Sequence, residues 1–298
     1  MNNGDHNYRA QQNIALGIMY MVVASMILPL MGSTAKTLAL EHVVLQIVWA
    51  RYTGHFIYMS LIFVPTRGLG LYRTTRWRIQ LLRSMLLLIS TCCFFTGLKY
   101  ISLPTATAIN FIAPLIVTAL AGVMLGEKVG PRRWAAVLIG FCGALVIIRP
   151  GLGQTHWAAG LIVVTATCWA LYQLLTRQVS DTDSPETSVT YTSMVGCFVL
   201  TIVMLLMPHW WRTPESTLNI ALFFGIGVIA AVGHFLVVKA YQNAPASVVS
   251  PFNFLQLLGA TVISYLFFAD VPDAFTWIGA AMIIGASLYV SYRERRKR

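Results

Sequence analysis

Carboxylates are scarce in this chain: ten Asp and Glu stand among 298 residues, and none falls at the centre of an apolar run. Glu41, Glu127, Asp270 and Asp273 lie at the ends of such runs and the others in loops or tails, which argues against a buried carboxylate relay for protons. The Walker A loop, HExxH and GxSxG are all missing, so ATP-driven pumping and hydrolysis have no sequence support. The five cysteines, Cys92, Cys93, Cys142, Cys168 and Cys197, form no CxxC pair and sit within apolar stretches, reading as small packing residues rather than metal ligands or disulfides. Charged residues of both signs make up only 10% of the chain, which excludes a soluble domain of any size.

What is present is apolar length. Hydrophobic residues are 57% of the chain, and they gather into ten runs near 14–35, 42–64, 78–100, 104–125, 132–149, 157–179, 187–208, 217–242, 246–268 and 274–292. At 1.5 Å per residue these runs match the ~30 Å of a bilayer core, where only a helix satisfies its own backbone at that length. The expected fold is an all-α integral membrane protein of ten transmembrane helices. The first run exceeds the ~7–15 residues of a signal-peptide core, and nine more follow, so it is expected to remain in the mature protein.

The net charge of +11 suggests nucleic acid only until the cations are placed. With the N-terminus inside, fifteen Lys and Arg fall on the inner segments, including Arg67, Arg73, Arg76, Arg132, Arg133 and the tail 293–298. The outer segments hold Lys36, Lys99, Arg149 and Arg212, while Arg51 and Arg83 lie inside runs. The positive-inside rule therefore puts both termini in the cytoplasm and makes the excess a topology signal. No nucleic-acid partner is implied, and the tail is expected to anchor against membrane lipids.

Shifted by 143 residues, the chain matches itself at rare features: Gly17 with Gly160, Asn110-Phe111 with Asn253-Phe254, Gly126-Glu127 with Ala269-Asp270, and Trp134 with Trp277. Tyr100 and Pro104 meet Tyr241 and Pro245 at a shift of 141, which one two-residue insertion explains. Five helices per half is an odd number, so the halves enter the membrane from opposite faces; inverted repeats of this kind are the mark of secondary transporters. The alternative is chance likeness between apolar helices.

Pro104-Thr105-Ala106-Thr107-Ala108-Ile109, Ala113-Pro114-Leu115, Leu125-Gly126-Glu127-Lys128, Trp134, Gly140 and Gly143 together resemble the EamA repeat of the drug/metabolite transporter superfamily. Ala244-Pro245-Ala246-Ser247, Trp277-Ile278-Gly279-Ala280 and Gly285 carry the likeness into the second half. That half departs from the pattern in having Ala269-Asp270 for Gly-Glu and no proline matching Pro114. The resemblance implies two five-helix repeats, over 14–149 and 157–292, ahead of the basic tail 293–298.

Arg51 is the most telling single position, because an Arg near mid-membrane costs ~2.5–3.5 kcal/mol even on the gentler scale and must be compensated. His55, one turn on, shares its face, and the two are candidate partners for a substrate carboxylate. A structural Arg, as recurs at this point of the resembled family, is the other reading. His55 and His234 are also the groups near mid-membrane suited to proton coupling, unless they are hydrogen-bonded structural histidines. Pro114 displaces the carbonyl four residues back, at Asn110, so a freed carbonyl and an amide coincide; Asn253 is its repeat equivalent, with Pro251 and Gln256 nearby. Trp169, Tyr172 and Gln173 offer an aromatic and amide face on the sixth helix, for a substrate or for packing. Pro29, Gly32, Pro114 and Pro251 are candidate hinges.

The sequence thus predicts a secondary transporter, not an enzyme, moving a small polar or amphipathic metabolite across the cytoplasmic (inner) membrane by alternating access. Its cavity is expected between helices 1–4 and 6–9, with the fifth and tenth peripheral. No cofactor or metal is implied; a metabolite, membrane lipids and, in a coupled version, protons are the expected partners, and the chain is expected as a monomer or weak homodimer. Export of amino acids or their derivatives leads, uptake of a vitamin or nucleoside-like metabolite is the alternative, and a non-transporting membrane enzyme or scaffold is the different class.

Overall fold

The computed structural model describes residues 14–125, 130–149, 156–179, 182–244 and 250–295. Gly126-Glu127-Lys128, Pro245-Ala246-Ser247 and 296–298 lie outside the described residues. Eleven helices make up the described chain: α1 (Ile14–Leu38), α2 (Val44–Arg67), α3 (Trp77–Gly97), α4 (Leu103–Asn110), α5 (Ala113–Leu125), α6 (Pro131–Ile148), α7 (Ala158–Val179), α8 (Pro185–Leu206), α9 (Thr217–Asn243), α10 (Leu255–Phe268) and α11 (Ala274–Arg295). Among the described residues there is no strand. Seven stretches are long and apolar enough to cross a membrane, and Trp134–Ile148, Phe252–Phe268 and Ala274–Val290 are shorter apolar helices.

Serines start several of these helices. Ser102, Ser184 and Ser216 each accept, through the side chain, the backbone N–H of the residue three further on, which fills one of the orphan donors of a helix N-terminus. Pro104 and Pro185 stand in the first turn behind two of them, where a missing N–H costs nothing. Tryptophans mark the ends: Trp77, Trp134, Trp157, Trp211 and Trp277 are all exposed at or near helix termini, as an interfacial aromatic belt requires. Between them the outer surface is apolar, with Leu61, Leu205, Phe224 and Leu266 at least two-thirds exposed. Such a surface suits lipid, not water.

The most extensive helix contacts are α3 with α7, α1 with α9 and α6 with α11. Under the 143-residue offset α1 corresponds to α7 and α3 to α9, so the first two pairings are one contact made twice. Small residues permit the closest approaches, as expected where lipid gives helices no hydrophobic reason to associate. A Cβ added to Gly54 of α2 would stand 2.8 Å from the Gly227 Cα of α9, and one on Gly227 2.7 Å from the Gly54 Cα. Gly143 and Gly279 bring α6 and α11 together in the same way.

Charged and amide side chains tie the two ends of the bundle. At one end Lys36 pairs with Asp270 at 3.7 Å, Arg149 with Asp273, and Asn219 donates to Glu41 at 2.6 Å. Partial burial alone would raise the Asp273 carboxyl, but hydrogen bonds from Thr276 and Arg149 outweigh it and hold it below the usual range. At the other end, where α1 begins and α11 finishes, Arg67 pairs with Glu186 at 3.6 Å and Arg76 donates to the Gln178 carbonyl at 3.0 Å. There Thr74 and Gln80 both donate to Asp183 Oδ2 at 2.6 Å.

Candidate substrate cavity

A cavity of about 570 Å³ lies inside the bundle, within the ~300–1,000 Å³ usual for small-molecule sites. α1, α2, α3, α4, α7, α8 and α9 all border it. Among the described residues α6 contributes nothing and α11 only Ser287, which matches the peripheral placement expected for the fifth run and leaves the tenth a single contact. Toward the end where α1 begins and α11 finishes the cavity is bordered by Asp183, Pro185 and Val189. At the opposite end the buried side chains of Leu38, Leu98 and Leu103 fill the bundle.

Two broken helices meet at the cavity. The fourth run is not one helix: α4 stops at Asn110 and α5 starts at Ala113, because Pro114 has no N–H to return to the Asn110 carbonyl. The Asn110 Oδ1 is buried and has no hydrogen-bond partner. The ninth run begins, among the described residues, with a 3-10 turn over Ser250–Phe254 before α10. Pro251 lies in that turn, and Asn253 Oδ1 accepts from Gln256 Nε2. The repeat-equivalent rings Phe111 and Phe254 meet edge to face, 5.0 Å between centroids. Asn110, Asn253 and Gln256 all border the cavity.

Arg51 is 2% exposed and also borders it. Its guanidinium stacks over Tyr52 at 4.5 Å and donates to Met31 Sδ at 3.3 Å, Thr91 Oγ1 at 3.4 Å and His234 Nε2 at 3.2 Å. Arg is always a donor, so the His234 Nε2 is an acceptor and its ring carries its proton on Nδ1. None of these partners is anionic. A buried cation held by a thioether, a hydroxyl, an imidazole and the face of a tyrosine ring, none of them anionic, keeps much of its field for whatever enters the cavity.

His55 corrects an expectation. It sits on the Arg51 face of α2, yet it does not border the cavity. Its ring stacks on His234, 5.3 Å between centroids and 4° from parallel, and its Nε2 is buried with no partner. The Gly54–Gly227 approach draws α9 so close that His234 stands beside both Arg51 and His55. His234 itself does border the cavity.

The α7 face is present as expected: Trp169 and Tyr172 stack at 5.2 Å, 26° from parallel, and both line the cavity with the exposed Gln173. Arg83, not among the sequence-derived candidates, also borders the cavity while 1% exposed. It lies over Tyr172 at 4.7 Å and donates to the Tyr172 hydroxyl at 2.9 Å, Thr176 Oγ1 at 3.0 Å, the Ser188 carbonyl at 3.0 Å and Gln80 Oε1 at 2.5 Å. The sequence signal was there, an Arg six residues into an apolar helix. Of the proposed hinges, Pro29 stands inside an unbroken α1, Gly32 packs against Leu103, and Pro114 and Pro251 mark the two breaks.

The sequence model of the EamA-like transporter family matches residues 15–149 and 156–292. The chain belongs to this family. As a member of the EamA-like transporters it is a multi-pass membrane protein and a transporter, not an enzyme. Among its curated relatives, a riboflavin transporter of Rhizobium johnstonii is 31% identical, over 95% of this chain and 93% of the relative. A riboflavin transporter of Vibrio cholerae is 30% identical, over 94% of each. An S-adenosylmethionine uptake transporter of Rickettsia prowazekii is 26% identical, over 81% of this chain and 82% of the relative. A solved crystal structure 14% identical, covering 96% of this chain and 98% of its own, superposes with a TM-score of 0.64 and shares this chain's fold.

Proposed function

We propose that this EamA-like transporter takes a flavin-class metabolite, riboflavin first, into the cell. The observation that carries the reading is the buried, counter-ion-free Arg51 on a cavity of about 570 Å³ walled by stacked aromatics and amides. Riboflavin joins a flat fused ring, suited to the Trp169–Tyr172 face, to carbonyl oxygens suited to a guanidinium and a polyol suited to amides. Two relatives near 30% identity over almost their whole length bear that substrate in their names. They favour a vitamin over the amino acids that the sequence alone put first, and the name of the Rickettsia relative supports uptake over export. Uptake of S-adenosylmethionine, by the likeness to the Rickettsia relative, is less favoured, because that molecule is cationic and Asp183 is the only acid bordering the cavity among the described residues.

The test is growth and uptake in a riboflavin auxotroph without its own transporter. The expected result is growth at riboflavin concentrations where the empty vector fails, with saturable uptake competed by unlabelled riboflavin and not by excess aromatic amino acids. Membrane-inserted protein that gives no uptake above the vector overturns the reading.

The proposal includes alternating access by two inverted five-helix repeats, with the three shorter apolar helices crossing as well and both termini in the cytoplasm of the inner-membrane host. The matched pairings of α1 with α9 and α3 with α7, and the meeting of Phe111 with Phe254, support it. The cavity is enclosed by one chain, so a monomer suffices. We read the transport as facilitated diffusion or weak coupling. His234 accepts from Arg51, and a proton placed on its Nε2 would end that bond and set a second cation beside the guanidinium. His55→Gln with His234→Gln is therefore expected to leave the effect of an imposed pH gradient on proteoliposome uptake unchanged. Gradient-driven accumulation that disappears in the double variant, with exchange intact, would assign the proton to these histidines.

A further inference from the structure

One face of α7 runs along the cavity: Thr165, Trp169, Tyr172, Gln173 and Thr176 follow one another at helical spacing, and all five border it. Its hydroxyls are engaged. Thr165 Oγ1 donates to the Leu161 carbonyl at 2.9 Å, Thr176 Oγ1 to the Tyr172 carbonyl at 2.6 Å, and the Tyr172 hydroxyl accepts from Arg83 at 2.9 Å. The Gln173 amide differs, being exposed and without a hydrogen-bond partner among the described residues. An unbonded amide facing hydrocarbon is costly, so its place on this face is explained by what fills the cavity, water or a ligand. A side-chain amide carries an acceptor and two donors on one planar group. An ammonium would use only its oxygen and a carboxylate only its nitrogen. An edge in which a carbonyl adjoins an N–H uses both, in the bidentate manner of a glutamine on a base edge.

We propose that Gln173 reads the cyclic imide edge of a flat substrate ring lying along the Trp169–Tyr172 wall, its nitrogen donating to an imide carbonyl and its oxygen accepting the imide N–H. This rests on the flavin reading, since the pyrimidinedione end of the isoalloxazine ring is such an edge, and it makes Gln173 a specificity-determining residue. Both contacts come from one side chain, so no second residue has to meet the same edge. Residues four apart on a helix stand roughly 6 Å from Cβ to Cβ, so a tricyclic ring over Trp169 has its edge within reach of Gln173. The wall is fixed before the ligand arrives: Trp169 stacks on Tyr172 at 5.2 Å, and Arg83 holds both the face and the hydroxyl of Tyr172. Gln173, bonded to nothing among the described residues, is free to turn its amide into the plane of the ring.

The experiment uses the full-length protein in proteoliposomes, with labelled riboflavin and three unlabelled competitors: riboflavin, 3-methylriboflavin, in which a methyl group replaces the imide hydrogen, and adenosine. The wild type is expected to bind the methylated competitor about 10-fold more weakly, the discrimination usual for the loss of one hydrogen bond. Adenine also sets a donor beside an acceptor but covers less of the two-ring wall, so adenosine is expected to compete about 5-fold or more weakly than riboflavin. Gln173→Leu removes both the donor and the acceptor. It is expected to lower the apparent affinity for riboflavin about 10-fold and leave that for 3-methylriboflavin within about twofold. Gln173→Met, closer to glutamine in shape, should erase the discrimination in the same way if the leucine variant does not insert. Equal potency of riboflavin and 3-methylriboflavin on the wild type, discrimination that persists in the inserted variants, or adenosine as potent as riboflavin overturns the Gln173 assignment and leaves the flavin reading standing. Absence of riboflavin uptake by inserted wild-type protein overturns both.

Discussion

Replacing Arg51 with alanine is expected to reduce riboflavin uptake by inserted protein to the level of empty vesicles. Among the described residues Arg51 and Arg83 are the two Lys or Arg side chains on the cavity, each over a tyrosine ring and each with neutral partners, but Arg51 has three hydrogen bonds, one of them to a thioether, where Arg83 has four to oxygen. Hydrogen bonds to a charged group are worth ~1.5–3 kcal/mol, so its loss corresponds to ~10- to 100-fold in affinity before any change in rate. Arg51→Ala alone does not separate a ligand contact from a tie between helices, because Met31, Thr91 and His234 bring α1, α3 and α9 onto the same guanidinium. Arg51→Lys does separate them. Lysine keeps the charge but loses the planar fork, so a ligand-contact role predicts a normally extracted, normally melting protein whose KM for uptake rises about 10-fold. A structural role predicts loss of folded protein in detergent first. Wild-type KM in a stable Arg51→Lys variant would remove Arg51 from the site.

The parts of the site that sequence made legible were those where a local rule was broken. An Arg inside an apolar run, a proline within a span and an Asn-Phe pair repeated at a fixed offset each violate what a lipid-embedded helix prefers, and Arg51, Asn110 and Asn253 all border the cavity. Arg83 breaks the same rule, but six residues from a helix end a long side chain can snorkel to the interface, so there the break carries less information. His55 went the other way. Helical periodicity puts it on the Arg51 face correctly, but which neighbour fills the space in front of that face is a long-range fact, set here by two glycines 173 positions apart that let α9 press against α2. The break in the ninth run had only a weak signal, since no proline matches Pro114 there. The structure supplies a 3-10 turn at the repeat-equivalent place instead.

That glycine pair leads to the last expected result, a loss of stability and uptake together in Gly54→Val. A valine Cβ at Gly54 would lie 2.8 Å from the Gly227 Cα, and the atom it meets is backbone, which cannot rotate away as a side chain can. The helices must part or tilt. Overpacking of this kind costs ~1–3 kcal/mol, and valine adds two methyl groups beyond the Cβ. In lipid the loss is not offset by a hydrophobic gain, since close packing is itself what holds such helices together. We expect the melting temperature of the detergent-solubilised protein to fall on the order of 5 °C. The contact sits one turn from Arg51, so parting α2 from α9 also lengthens the 3.2 Å hydrogen bond to His234 and disturbs the orientation of the guanidinium. Uptake should therefore fall by more than the loss of folded protein explains, and the ratio of the two is the informative quantity. Gly160→Ala is the matched control: a Cβ there meets nothing within 4 Å, and alanine is the better helix former, so this variant should melt at or slightly above the wild-type temperature. Gly54→Val with wild-type melting and uptake would mean that the α2–α9 approach does not position Arg51 for its ligand.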